Sequence, residues 1–199
     1  RAFQGVALRR SDGELRVRTP RGSYAHVHPL AGAHQRANLV VAIRTLEALD
    51  SAGLRIDLPK AVAAMSQAVW PGRLERLDHR PPFLLDGAHN PAGAKALAAY
   101  LEEQGTPHVL VFGAMRDKHV DEMASELFTL ARLVIATRVR MKRAATTEYL
   151  FDVGRKLGVS VLEEASISRA VARAARATLP GETVVVAGSL YLVGAVRKR

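Results

Sequence analysis

The sequence predicts an α/β protein: a Rossmann-like, mostly parallel sheet with helices on both faces, preceded by a small β-hairpin and two helices. Three observations carry this. From residue 82 onward, short apolar runs alternate with Ala- and Leu-rich stretches of helical length. The runs Phe83-Leu84-Leu85 and Val184-Val185-Val186 are continuous, the pattern of strands buried on both faces. And Asn90-Pro91 follows the first run closely, a good N-cap followed by a good first helical residue.

The elements follow in order. Residues 1–30 read as β structure, with Glu14–Arg18 and Tyr24–His28 alternating apolar and polar around a turn at Ser11-Asp12-Gly13. Such a hairpin has too few partners to form its own core. Residues 34–50 form an amphipathic helix with Leu39, Ala42, Ile43, Leu46 and Leu49 on one face. A second helix runs from Pro59 to Val69, and Trp70-Pro71-Gly72 then breaks the chain. Residues 1–70 are therefore expected to be one part and 71–199 another. In the second part strands are expected at 83–86, 108–113, 133–137, 159–162 and 183–188. Helices are expected at 91–103, 119–130, 147–157, 167–177 and 190–197.

Composition bounds the function. The chain has 199 residues, 48% of them hydrophobic, a net charge of +10 and no cysteine. Disulfides and thiolate metal sites are excluded, and a cytoplasmic protein is expected. No apolar run approaches the roughly 18 residues a membrane span needs. The start, Arg1-Ala2-Phe3-Gln4, has no apolar leader core, and the chain reads as the continuation of something longer. The basic residues are mostly scattered singly between apolar ones, as in Arg169–Arg176, and few aromatics are available to stack on bases. The charge therefore points to an anionic small molecule rather than to nucleic acid.

The residues that follow each predicted strand are chemically rich: Asp86 and His89; Met115, Arg116, Asp117 and Lys118; Thr137 and Arg138; Ser189 and Tyr191. In a parallel sheet they all lie at one edge, where open α/β folds bind ligands. Asp86 and His89 also precede a helix N-terminus, which favours anions. Neither a Gly-x-Gly-x-x-Gly fingerprint nor a phosphate loop occurs. The chain has only two asparagines, Asn38 and Asn90. Asn90 can be a helix cap or a contact. Asn38 lies inside a helix, where Asn is a mediocre former, and is expected to make a side-chain contact. His26, His28 and His34 have no acid or cysteine to complete a metal site, and read as solvent-facing strand histidines.

The motifs Pro71-Gly-Arg-Leu-Glu75 and Asp86-Gly-Ala-His-Asn-Pro91 resemble those of the Mur ligase superfamily, and within it the folylpolyglutamate and dihydrofolate synthases. Gly32-Ala-His-Gln-Arg-Ala-Asn38, Phe112-Gly113 with Asp117-Lys118, and Gly188-Ser-Leu-Tyr-Leu-Val-Gly194 are similar to further motifs of that family, in the same order. The resemblance implies that residues 1–70 match the end of a central ATP-binding domain and 71–199 the C-terminal domain. It implies that Asn38 and Arg73 contact the adenine nucleotide. Asp86 would sit at the nucleotide, at its ribose, and His89, Ser189 and Tyr191 would line the crevice where glutamate meets the γ-phosphate. His89 and Asp86 would be the catalytic pair. Without the resemblance, Arg73 could equally form a salt bridge to Glu75, and His89 could bond to backbone in its turn.

The implied reaction is ATP-dependent addition of L-glutamate to a folate γ-carboxylate, or to dihydropteroate, through an acyl phosphate. ATP and Mg²⁺ are the implied cofactors, with Mg²⁺ held largely outside this chain, and a monomer is expected. The family's phosphate loop would lie before residue 1, so this chain alone is expected to be inactive. Where the family often has Asp-Lys-Asp, this chain reads Asp117-Lys118-His119, which weakens any role for position 119. Two other readings stay open: a stand-alone nucleotide- or amino-acid-binding module, and a Mur-type ligase acting on a cell-wall precursor.

Overall fold

The computed structural model describes residues 2–11 and 14–198. The chain divides into two compact units, residues 1–70 and 71–199.

The first unit is a three-stranded antiparallel sheet, β1 (Ala7–Ser11), β2 (Glu14–Thr19) and β3 (Gly22–Val27), with helices α1 (Ala33–Leu49) and α2 (Leu58–Met65). The expected hairpin thus has a third strand, and the turn expected at Ser11-Asp12-Gly13 lies outside the described residues at positions 12 and 13. The expectation that this region lacks a core is corrected. Leu15, Val17, Tyr24 and Val27 pack with Leu39, Val40 and Ile43 of α1 and Val62 of α2. The alternation in β2 dictates this, because a strand's period of two sends Leu15, Val17 and Thr19 to one face. On α1 the buried set is Leu39, Val40, Ile43 and Glu47, while Leu49 of the expected face is exposed. α2 stops at Met65, short of the expected Val69, and Ser66 and Gln67 continue as a turn.

Glu47 is buried by design. Its carboxylate accepts hydrogen bonds from the Thr19 hydroxyl, the Tyr24 hydroxyl at 2.9 Å and the Arg44 guanidinium. Burial pushes the Glu47 carboxyl up, but those three donors outweigh it and hold it below the usual range. The same burial, with Glu47 as acceptor, pushes the Tyr24 phenol up to about 12.

The second unit is a six-stranded sheet of order β4-β5-β9-β6-β7-β8. Its strands are β4 (Glu75–Leu77), β5 (Phe83–Leu85), β6 (His108–Phe112), β7 (Leu133–Ala136), β8 (Val161–Glu163) and β9 (Thr183–Ala187). All neighbours pair in parallel except the edge pair β4–β5, and β4 is a strand the sequence reading missed. The helices are α3 (Pro91–Gln104), α4 (Val120–Leu127), α5 (Thr147–Lys156), α6 (Ile167–Ala177) and α7 (Leu190–Arg197). α4 is shorter than expected because residues 128–130 tighten into a 3₁₀ turn.

The continuous apolar strands are explained by what covers them. Leu84, Leu110, Val134 and Val185 face α3, α4 and α5, whose Leu97, Met123 and Leu150 complete one core. Phe83, Val109, Ile135 and Val184 face the other way, onto Ala170 of α6 and Leu192 and Val196 of α7. The fold class expected from the sequence is the one observed.

Candidate functional site

Strand order locates the site. β9 lies between β5 and β6 and sends its chain into α7 on one face of the sheet. β5 and β6 send theirs into α3 and α4 on the other. The connections diverge on either side of β9, so the carboxyl end of β9 is flanked by two topological switch points, where ligands of open α/β sheets bind. Gly188 and Ser189 stand there. Gly188 has a φ of +107°, and an added Cβ would lie 2.9 Å from the Gly113 carbonyl oxygen. Only glycine lets the three strand ends approach so closely.

Around Gly188 the sequence-predicted residues take definite places. Asp86, 5% exposed, ends β5. Its Oδ1 accepts the Ala88 N–H at 2.8 Å and its Oδ2 the Leu74 N–H at 2.9 Å. The carboxylate therefore ties the turn at residues 72–74 to the strand end. His89 is half-buried; its Nδ1–H donates to the Gly87 carbonyl at 2.8 Å, which leaves the Nε2 lone pair without a partner among the described residues. Asn90 is the α3 cap, its Oδ1 accepting the Gly93 N–H at 2.8 Å. Ser189, 3% exposed, caps α7 by accepting the Tyr191 N–H at 3.1 Å, and the Tyr191 ring is 60% exposed one step further on.

Arg73 is held in a turn gripped from several sides. The Gly72 N–H donates to Glu75 Oε2 at 2.7 Å, and the Gly72 carbonyl accepts the Gly87 N–H at 2.7 Å. Leu74, a non-glycine residue at φ +47°, is bonded to Asp86. The Glu75 carboxylate is taken by Gly72 and by Arg197, whose Nε lies 2.9 Å from Oε1. The salt bridge from Arg73 to Glu75 that the sequence left open is therefore not formed. Among the described residues Arg73 has no hydrogen bond or ion pair, while its backbone is fixed.

A cleft of about 590 Å³ adjoins Tyr191 at the same edge, lined by Arg138, Arg140, Ser166, Ser168 and Arg169. Arg169 is paired with Glu164 at 3.0 Å; Arg138 and Arg140 are exposed. Sequence reasoning placed only Arg138 at this edge. Arg140, in the loop after β7, and Arg169, in the first turn of α6, are far apart in sequence and come together through the β7–β8 pairing.

The remaining expectations are more loosely placed. Asn38 lies exposed on α1 in the first unit, donating to Gln35 Oε1 at 3.1 Å, a contact to its own helix. His119 adopts φ +50° as the residue before α4, with its Nδ1 3.0 Å from Glu122, which gives position 119 a helix-start role. No group of three or more His, Asp or Glu among the described residues could hold a metal, and both Asp86 oxygens are engaged by backbone N–H groups. The described residues do not form a Mg²⁺ cage. Among the described residues no helix is long and apolar enough to cross a membrane.

The model of the Mur ligase, glutamate ligase domain, matches residues 72–190, more than half of the chain. The chain belongs to the Mur ligase family. Among its relatives is the dihydrofolate synthase/folylpolyglutamate synthase of Bacillus subtilis, 30% identical over 173 residues, covering 85% of this chain and 40% of that protein. The enzyme of the same name from Mycobacterium tuberculosis is 35% identical over 143 residues, covering 69% of this chain and 29% of the relative. Mur-family structures resemble it too. Mycobacterium tuberculosis folylpolyglutamate synthase, solved with ADP and AMPPCP, superposes with a TM-score of 0.83 at 29% identity, covering 98% of this chain and 47% of that one. The chain thus spans less than half the length of these relatives.

Proposed function

We propose that this Mur-family chain supplies the adenosine-side and glutamate-side half of an ATP-dependent carbon–nitrogen ligase, one that adds L-glutamate to a folate γ-carboxylate or to dihydropteroate. The observation that carries the reading is Arg73: a guanidinium with no partner among the described residues, on a turn fixed by Asp86, Gly87 and Glu75, at a topological switch point. A cation held in place and left unneutralised suits an anionic ligand such as the phosphates of a nucleotide, or stacking on a base. The relatives' names and the ADP and AMPPCP in the superposed structure favour ATP over other anions.

In this reaction the substrate carboxylate attacks the γ-phosphate, giving an acyl phosphate and ADP. The glutamate amine then attacks the acyl carbon, phosphate leaves, and the amine gives up a proton. Chemistry of this kind rests on positioning and on neutralising developing charge. Asp86 acts here as a positioning group, because both its oxygens hold backbone. The His89 Nε2 lone pair is placed to orient or accept a proton from the glutamate ammonium. Ser189 and Tyr191 border the glutamate, and the arginine-lined cleft beside Tyr191 suits its carboxylates. Asn38 contacting adenine rests on the Gly32–Asn38 motif. The phosphate cradle and Mg²⁺ come from a region this chain does not contain.

The test is ligation. ADP release that requires both L-glutamate and a folate or dihydropteroate is expected when the chain is joined to a phosphate-loop region, and not from the chain alone. Turnover by the chain alone refutes the half-site reading. No turnover after joining refutes the ligase reading.

A further inference from the structure

We infer that Glu75 and Arg197 form a latch that positions Arg73 for the anionic ligand, coupling the far end of α7 to the site; this rests on the reading of Arg73 above. The Glu75 carboxylate bridges its near neighbour Gly72, whose N–H it accepts at 2.7 Å, and Arg197, 122 residues away, whose Nε donates to it at 2.9 and 3.2 Å. Removing Arg197 leaves the Glu75 carboxylate without its cation partner, and Arg73, two residues away in sequence, is a cation it can turn to. The latch therefore does two things. It fixes the start of the turn, and it keeps Glu75 from neutralising Arg73.

The geometry gives the latch reach. α7 is one short helix with Ser189 capping its first turn and Arg197 in its last. Midway, Val193 fills the space over Gly72: a Cβ on Gly72 would stand 2.8 Å from Val193 Cγ1, at a φ of +71°. The same helix thus touches the Arg73 turn through Val193 and Arg197 while its N-terminus carries Ser189 and Tyr191. On the other side of the turn, Asp86 and Gly87 hold Leu74 and Gly72 to β5. With both sides fixed, the freedom left to the turn is that of the Arg73 side chain. An exposed ion pair contributes little to stability, and Arg197 is half-exposed. Its effect is expected on ligand affinity and not on folding.

The experiment titrates ADP into the chain and follows the Arg73 Nε–H and the amides of Gly72, Leu74 and Gly87 by NMR, which reads weak binding. R197M is expected to weaken ADP binding about fivefold, the scale of coupling between groups in contact. In an R73A background the same change is expected to have an effect of less than about twofold, because the latch acts through Arg73. R197K, which keeps a cation for Glu75, is expected to recover most of the loss, with the melting temperature of every variant near wild type. Equal losses in both backgrounds, or no loss from R197M, overturn the latch. If R73A leaves ADP affinity unchanged, or if the wild-type chain shows no saturable shift, the reading of Arg73 fails first and the latch with it. If R197M does not fold, R197Q, which keeps a polar side chain of similar reach but no charge for Glu75, takes its place with the same expected loss and the same overturning results.

Discussion

Asp86 offers the sharpest test of how this site is built. Its carboxylate is 5% exposed and accepts the N–H groups of Leu74 and Ala88. Replacing it with Ala leaves two buried donors unmet. Each costs about 1–3 kcal/mol, so D86A should lose about 2–6 kcal/mol of stability in the second unit. That is a large share of the roughly 5–15 kcal/mol typical of a domain. D86N separates shape from charge. An amide has one acceptor oxygen, so it can serve one N–H while its own NH₂ faces the other, and a loss of about 1–3 kcal/mol is expected. The assay is urea unfolding followed through the amide signals of Val111 and Val185, in the middle of the sheet. A D86N variant within about 0.5 kcal/mol of wild type, the range of an inconsequential surface change, refutes the argument that Asp86 is a backbone clamp. If the clamp is real, D86N should also weaken ADP binding in proportion to the disorder it introduces at residues 72–74.

Other outcomes follow from the same structure. G188A places a methyl 2.9 Å from the Gly113 carbonyl oxygen at a φ of +107°, and is expected to destabilise the second unit by about 1–3 kcal/mol and abolish ligand binding, read by thermal melting and ADP titration. E47Q removes the charge that keeps the Tyr24 phenol protonated, so its pKa is expected to fall from about 12 while burial keeps it above that of a free tyrosine; an ultraviolet alkaline titration reads this. Burial depresses the His108 imidazole, and its Nε2 has no hydrogen-bond partner among the described residues. The unfolded chain therefore binds the proton more readily, and stability should drop as pH falls through about 6.5, the unfolded value, and level off below the folded one. H108Q is expected to flatten that dependence in urea unfolding between pH 5 and 7; an unchanged slope assigns it to other groups. R73A is expected to weaken ADP binding about tenfold or more, the scale of a charge-assisted hydrogen bond, without lowering the melting temperature.

The second unit was legible because its physics is local. A strand buried on both faces must be apolar throughout, and Phe83–Leu85, Val109–Phe112 and Val184–Val186 are. Helix starts were legible because capping needs particular residues, and Asn90, Thr146 and Ser189 all cap through their side-chain oxygens. What escaped is what depends on distant pairing. β4 is three residues at a sheet edge, too short for a period to show. The core of the first unit needs α1 and α2 to cover a sheet whose hydrophobic face is only half of each strand. Glu47 lies outside the helix face expected of α1 and is nonetheless buried, and its donors, Thr19, Tyr24 and Arg44, explain it. The cleft arginines, from loops after β7 and at the start of α6, had no local signature that joins them.

The same limit applied to the site, and the structure resolves it in one way. Asp, Asn, Ser and His at strand ends serve equally to cap helices, to clamp turns and to touch ligands, so residue type cannot say which. Counting the polar atoms each one has left does. Asn90 spends its oxygen on Gly93, Ser189 on Tyr191, and Asp86 both oxygens on backbone. His89 spends Nδ1 on Gly87 and keeps Nε2, while Arg73 spends nothing because Arg197 has taken the Glu75 that would have neutralised it. Arg73 and the His89 Nε2 therefore keep the most capacity to bind, the Asn90 NH₂ and the Ser189 hydroxyl hydrogen remain as further donors, and Asp86 belongs to the frame. A frame of this kind predicts a division of labour under mutation. Changes at Asn90 and Asp86 should act first on stability, whereas changes at Arg73 and His89 should act on ligand with the melting temperature intact. A variant series that showed the reverse, with N90A neutral to folding and H89A unfolding the second unit, would mean the frame had been assigned to the wrong residues.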